Sequence, residues 1–471
     1  MKRITQSEKF EKVYEEKKIE DSTDAFCKRY KVGANLKSAN AYKAKGFAVM
    51  LIFCYLLRLI FTKKSMYMNI VTGTHDEKFK KDVVYRFMDT PNINWDKFVL
   101  TTAKNVIDDI DKLTSEARIS VISIDDTFYG RGRSKKVELL ANVFDHASKG
   151  QKYKRGFRQL TATWTDGVTL VPLCFRHMST ENKKCRYNEI NEKIDKRTCG
   201  YKARKQAIST MPTVMLEMLS RIVSAEIPSK HVVFDSWFSS PSAMISIKKL
   251  GLDAVGRLKN STTIKYIVNG KEMTLSQIYS SAKKRRGRSK YLLSTPVQLY
   301  VKDKKGNYVD TIDARIVFVR DRCNKKKWIA FLSTDMALTE EQVIEAYAKR
   351  WDIEVFFKMC KSYLKLGSEF QGLSYDSITA HTAVVMIRYM ILAVQKRQNE
   401  DPRSFGELFF SQYDEKLDMQ FAEAIALILD LLREVLMDLL FLSDKQMVEI
   451  IDVFISKLPE FLKRNLVPKV A

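Results

Sequence analysis

The chain has 471 residues, with 81 lysines and arginines against 56 aspartates and glutamates, a formal charge of +25. That length accommodates about three domains, and a hydrophobic share of 45% supports a large core, which excludes a disordered chain. Such an excess of positive charge repels itself unless a polyanion is near, so nucleic acid is the first partner to expect and an anionic membrane the second.

Seven cysteines, at positions 27, 54, 174, 185, 199, 323 and 360, are scattered without a CxxC pair. This argues against a zinc ribbon and against a disulfide framework, and for a reducing, cytoplasmic setting. No GxxxxGK[ST] loop or usable GxGxxG is present, so no nucleotide partner is expected.

In chain order, residues 1–110 read as helical and basic. Phe47 to Leu57 is an unbroken apolar run, carried past Arg58 to Phe61. It is shorter than the roughly 18–20 apolar residues of a membrane span, so it reads as a buried helix and no membrane is expected. Phe79, Val83, Val84 and Phe87 share one side of a helical stretch with Lys80, Lys81 and Arg86 elsewhere. The second helix of a helix-turn-helix and a solvated basic helix both fit that pattern. The period then changes. Ile119–Ile124, Gly156–Trp164 and Val168–Pro172 are β-rich, with Thr165-Asp166-Gly167 as a hairpin turn. A long helix is predicted from about Lys205 to Val223, followed by short strands at His231–Phe234 and Leu252–Val255. These make an α/β sheet with mixed strand directions. From 258 to 336 the pattern is again β, around a basic loop Lys283–Arg288, and helical pattern runs from Thr339 to about 400.

The tail differs in charge. Residues 401–450 hold 11 acidic and four basic side chains, so this window is −7 while the rest carries +32. Phe421, Ile425, Ile428, Leu432, Val435, Leu439 and Leu442 recur at alternating spacings of four and three, a heptad seam. The seam fits a helix packed inside its own domain or a self-association surface.

Two predicted strands run into aspartates, Asp125-Asp126-Thr127 and Asp235-Ser236-Trp237. Each alone reads as a turn or cap, but carboxylates at strand ends of an α/β sheet also face the crevice where ligands bind. Within a predicted helix over 347–361, Tyr347, Arg350, Glu354 and Lys361 lie at roughly 0°, −60°, −20° and −40°, one narrow face, with Phe356 opposite. That face is either a solvated ion-pair stripe or a metal-binding carboxylate flanked by phosphate-binding cations.

Tyr-x2-Arg-x3-Glu-x6-Lys at 347–361 resembles the signature of one group of bacterial insertion-sequence DDE transposases, called YREK after those residues. The order Asp125, Asp235, β-rich segment, Glu354 resembles them too, over about residues 115 to 370. The resemblance implies a mixed-sheet, ribonuclease-H-like α/β core in two parts, 111–257 and 337–400, interrupted by a β-rich insertion at 258–336. A helical DNA-binding region at 1–110 and a helical C-terminal region at 401–471, with possible dimerisation, would flank it. It implies Asp125, Asp235 and Glu354 as catalytic carboxylates holding two Mg²⁺ ions, with Mn²⁺ as a substitute. Asp125 is preferred to Asp126 because the family commonly has Thr or Ser two positions after the catalytic aspartate, and Thr127 fits. The resemblance further implies DNA contacts from Tyr347, Arg350, Lys361 and Arg257, and from Trp328 in Lys327-Trp328-Ile329-Ala330-Phe331-Leu332-Ser333-Thr334, whose family counterpart handles a flipped base during hairpin formation. Trp351 matches the family's Arg-Trp dipeptide. The implied activity is metal-dependent excision and strand transfer through a hairpin, by a homodimer on DNA, at the nucleoid. The alternatives are a catalytically inactive, transposase-derived DNA-binding protein and a ribonuclease-H-like nuclease without strand transfer.

Overall fold

A computed structural model of the chain describes residues 22–43, 45–62, 65–71, 79–112, 118–145, 150, 152–285, 289–321, 324, 327–398 and 444–457. Six helices come first: α1 (Ser22–Arg29), α2 (Val32–Ser38), α3 (Val49–Leu59), α4 (Met66–Val71), α5 (Lys81–Met88) and α6 (Trp95–Asp111). The apolar run of the sequence is α3, with Ile52, Phe53, Leu56 and Leu57 fully buried. In α5, Val84 and Phe87 turn inward, as the spacing predicted.

Strands β1 (Val121–Gly130), β2 (Ala141–Phe144), β3 (Tyr153–Thr165) and β4 (Leu170–Met178) follow. Gly167, at φ +90°, turns the chain between β3 and β4, where a side chain would be strained. Helices α7 (Cys199–Ala207) and α8 (Met211–Ser224) cross over to β5 (His231–Phe234), and α9 (Pro241–Lys249) crosses to β6 (Asp253–Arg257). The single helix predicted over 205–223 is thus two. Pro212 has no N–H to donate and is tolerated only in a first turn, so a new helix starts there behind Thr210.

Five strands, in the order β4-β3-β1-β5-β6, form the centre of the sheet. β3 runs antiparallel to β1, whereas β5 runs parallel to β1 and β6 parallel to β5. This is the ribonuclease-H-like arrangement that the sequence led us to expect. The segment after β6 does not form a separate layer. β7 (Tyr266–Val268), β8 (Lys271–Met273), β9 (Leu293–Lys302), β10 (Tyr308–Arg320) and β11 (Trp328–Ser333) extend the same sheet, because β11 pairs antiparallel with β6. One helix, α10 (Leu275–Ser281), interrupts this predicted β-rich region. It is started by a capping box in which Thr274 and Gln277 satisfy each other's backbone N–H groups.

The remaining helices are α11 (Glu340–Ala348), α12 (Trp351–Ser362), α13 (Tyr375–Gln398) and α14 (Asp444–Lys457). α13 is apolar and long enough to cross a membrane by length and composition, but it is buried. It packs against α3, α5, α6 and β4, so the N-terminal helices and the sheet share one core. An all-round apolar helix belongs in such a place. Its few charged groups are paired. The Arg388 guanidinium donates to the carbonyls of Leu56 and Leu57 and to Glu369, and Asp376 meets Arg204, which also grips Glu138. Burial pushes the Glu369 carboxyl up, but Arg388 and His381 prevail and bring it down to about 2. The heptad seam at 421–442 lies outside the described residues.

Candidate active site

β1 does not stop at Asp125 as the sequence suggested. It continues to Gly130, carrying Asp125 and Asp126 inside the strand. Alternation then sends Asp125 and Thr127 to one face and Asp126 to the other. The partners agree with this. Asp126 is clamped by Arg158 from β3, while Asp125 meets Arg350 and Thr127 accepts a 2.7 Å hydrogen bond from the Lys361 amine.

The register of β1 and β5 brings in the second aspartate. Ile124 pairs with Phe234 in parallel, so Asp125 and Asp235 occupy the next position on adjacent strands, which lie roughly 4.8 Å apart. Asp235 leaves β5 in a tight turn. Its Oδ1 accepts the Trp237 backbone N–H at 2.9 Å, and its carbonyl accepts the Ser239 hydroxyl at 2.9 Å.

The third carboxylate arrives from the other side. The helix predicted over 347–361 breaks at Lys349–Arg350, between α11 and α12. There the Arg350 N–H bonds back to the Tyr347 carbonyl and the Ile353 N–H to the Arg350 carbonyl, the tighter i→i−3 pattern. Lys349 is pulled aside by the carbonyls of Ile119 and Asp166. Arg350 points into the site and bridges two acids, Asp125 at 3.2 Å and Glu354 at 2.6 Å. Its Nε is buried with no hydrogen-bond partner among the described residues. Tyr347 lies against Phe331 of β11, ring centroids 4.4 Å apart, with the Arg350 guanidinium 5.8 Å from its own ring.

Electrostatics follow from this crowding. Burial pushes the Asp125 carboxyl up to about 7, with Asp126 and Asp235 adding to the rise; the Asp126 N–H and Arg350 oppose it. Burial likewise raises the Tyr347 phenol, against the pull of Arg350 and Arg257. Arg257 ends β6 directly opposite Phe331, on the face that carries Tyr347, and is exposed.

Trp328 is elsewhere. Along β11, Ile329 and Phe331 face the layer containing Tyr347, whereas Trp328, Ala330 and Leu332 face the other. The indole is half-buried there, stacked on Tyr279 at 5.3 Å and edge-on to Phe318 at 5.1 Å. So the chain brings Asp125, Asp235, Tyr347, Arg350, Glu354, Lys361 and Arg257 to one region and leaves Trp328 across the sheet. Two neighbours of this region escaped the sequence reading: Lys349 and Trp237. Only the Asp-x-Trp spacing hinted at Trp237, and exposure is not written in sequence.

A hard divalent cation takes oxygen ligands, and the donor set here is all carboxylate. Two aspartates abreast, one of them forced toward its neutral form, are a pair that a cation would relieve. Among the described residues no three acidic, imidazole or thiol side chains already stand close enough to share one ion. Glu354 is linked to Asp125 through Arg350 rather than directly.

No curated protein matches the sequence. Among solved structures, the Drosophila P element transposase strand transfer complex matches at 11% identity and a TM-score of 0.23, over 59% of this chain and 55% of that chain. The chain therefore spans little more than half the length of that relative, and so slight an overlap bears on nothing further. Residues 47–325 match the family described as DDE superfamily endonuclease, a stretch that holds Asp125 and Asp235 and ends before Glu354. With more than half its length matched, the chain belongs to the DDE superfamily endonucleases.

Proposed function

We propose that the protein is a DNA transposase that excises an insertion sequence and joins it to target DNA. The observation that carries this reading is the register placing Asp125 beside Asp235, with Arg350 drawing Glu354 to the same point. Asp125, Asp235 and Glu354 would hold two Mg²⁺ or Mn²⁺ ions. When bound, such ions activate the attacking oxygen and stabilise the leaving one. The chain's own cations do the rest. Arg350 between two of the acids, Lys361 at Thr127 and Arg257 at the end of β6 suit the phosphates of the strand being cut, and Tyr347 backs Arg350. These contacts position the backbone without reading sequence.

Excision through a hairpin, a homodimer on paired DNA ends, an N-terminal DNA-binding region at 1–110 and a nucleoid-bound, cytoplasmic location belong to this proposal. Trp328 would serve the flipped base only where DNA reaches the far face of the sheet. The geometry supports its packing on Tyr279 more directly.

The test uses the DNA flanking the reading frame, supplied intact and as pre-cut ends. The full chain with Mg²⁺ is expected to cut the first and join the second to target, with a hairpin visible on a denaturing gel. Asp125→Ala, Asp235→Ala and Glu354→Ala should each abolish both steps while binding survives, because phosphate contacts dominate affinity. Cutting without joining would indicate a nuclease, and binding alone a DNA-binding derivative. Normal cutting by Asp125→Ala together with a dead Asp126→Ala would reverse the assignment of the first aspartate.

A further inference from the structure

Helix α12 rests on β1 and β4, with Ile353, Phe356 and Phe357 buried. Apolar packing is non-directional and leaves a helix free to slide along a sheet. Hydrogen bonds are directional, and they join α12 to the sheet at both ends. At its start the Thr165 hydroxyl donates to the Asp352 carboxylate at 2.9 Å; at its end the Lys361 amine donates to the Thr127 hydroxyl at 2.7 Å. Thr165 pairs with Val121, so the two threonines lie on the sheet face that carries Asp125, on either side of it. On the helix, Glu354 falls between the same two anchor points.

The first anchor is itself held. The Thr165 hydroxyl accepts the Gly167 N–H at 3.0 Å, which leaves its own hydrogen for Asp352. The buried Asp166 carboxylate accepts the N–H groups of Val168 and Thr169, at 2.9 and 2.8 Å, and the guanidiniums of Arg118 and Arg397, at 3.2 and 3.1 Å. Burial pushes this carboxyl up, but the N–H groups and the arginines prevail and hold it below its usual value. The Asp166 carbonyl, with that of Ile119, receives the Lys349 amine. Gly167 leaves room for the lysine stem, since a Cβ there would lie 3.1 Å from its Cε. One hairpin turn thus grips Lys349 and Asp352, which bracket Arg350 and precede Glu354.

We propose that Thr165, Asp166, Lys349 and Asp352 are positioning residues: the turn between β3 and β4 sets where Arg350 and Glu354 stand relative to Asp125 and Asp235, and through Glu354 it sets the affinity for a divalent cation. This rests on the DNA-processing reading and extends it to a turn outside the carboxylate set. A cation's carboxylates must converge on it, so a helix that slides takes Glu354 out of reach. Residues that only orient metal ligands change affinity roughly 10- to 100-fold when removed.

The experiment binds the full chain to a pre-cut DNA end and titrates in Mn²⁺, following the electron paramagnetic resonance signal of the free ion. The Asp235→Ala complex supplies the background. Thr165→Val, which keeps the shape and removes the hydroxyl, is expected to weaken Mn²⁺ binding by roughly 10-fold or more, and Thr165→Ser to restore it. Asp352→Ala breaks the same bond from the helix, and Lys349→Met removes the ammonium but keeps the stem; both should weaken binding too. If circular dichroism shows Thr165→Val unfolded, Asp352→Ala, at a half-buried position, carries the test. Folded variants that lose stability in urea yet bind Mn²⁺ as the wild type does overturn the inference, as does a Thr165→Ser variant that binds as weakly as Thr165→Val. Failure of the parent reading looks different: wild type and Asp235→Ala then take up Mn²⁺ alike, and the positioning role falls with it.

Discussion

Asp125→Asn offers the sharpest test of the site's electrostatics. Burial and two neighbouring aspartates move this carboxyl from 3.8 to about 7. Between those values the folded protein holds a proton that the unfolded chain has released, so stability falls as pH rises through the window. The full penalty is present above about pH 7. At about 1.4 kcal/mol per pKa unit, a shift of roughly three units sets a ceiling of ~4 kcal/mol. Asparagine keeps an oxygen for Arg350 but carries no charge, so the variant escapes the penalty. Urea unfolding of both proteins in EDTA should give equal stabilities at about pH 4, and at about pH 8 the variant should be the more stable by up to ~4 kcal/mol. Added Mg²⁺ should narrow the gap by favouring the ionised wild type. Parallel stability curves across the window would refute the reasoning, because Asp125 would then titrate as it does in the unfolded chain.

Arg204→Ala should destabilise the fold by roughly 3–5 kcal/mol, since it strands the buried carboxylates of Glu138 and Asp376, and urea midpoints will show it. Arg204→Lys should recover little, because an ammonium cannot reproduce the fork that makes four contacts of 2.7–2.9 Å. Affinity for duplex DNA should fall steeply with salt, and Lys361→Ala should reduce the log–log slope by about 0.9, the share of one phosphate. Charged substitutions at Leu432 and Leu439, both outside the described residues, should abolish pairing of two DNA ends while leaving single-end binding, read by gel filtration of the complexes. A folded double mutant that still pairs ends removes the seam from assembly.

What could be read in the sequence was whatever depends on local chemistry. Thr165-Asp166-Gly167 announced its hairpin because only glycine takes a positive φ cheaply. The apolar run at 47–61 announced burial because it was too short for a bilayer. α10 was readable and passed over: Thr274-Leu275-Ser276-Gln277 is a capping box inside a stretch otherwise rich in β-formers. Pro212 likewise marked a helix start within what periodicity took for one helix. Other features depend on distant parts of the chain. Whether β1 ends at Asp125 or runs on to Gly130 is decided by β3, which pairs with it along its whole length. Which face Trp328 occupies is decided by the pairing of β11 with β6 and β10. Neither β3 nor β6 is near in sequence, so no window around Asp125 or Trp328 holds the whole answer.

The break at Lys349–Arg350 changes what the Tyr-Arg-Glu-Lys spacing means. On a continuous helix those four side chains would form one stripe, and an ion-pair ladder on the surface would explain them as well as a catalytic role. In the structure the stripe is divided. Tyr347, at the end of α11, packs on Phe331 of the inserted strand β11, while Glu354 and Lys361, on α12, reach toward β1 through Arg350 and Thr127. Arg350 stands at the joint, with a carboxylate on either side of its guanidinium. The spacing therefore fastens the insertion to the core at the point where Asp125 and Asp235 meet. A solvated stripe would have no reason to bury an arginine between two acids or to bend around a lysine anchored on Ile119 and Asp166. Under the proposed reading, that cost fixes Arg350 and Glu354 relative to the two aspartates, where a phosphate would lie.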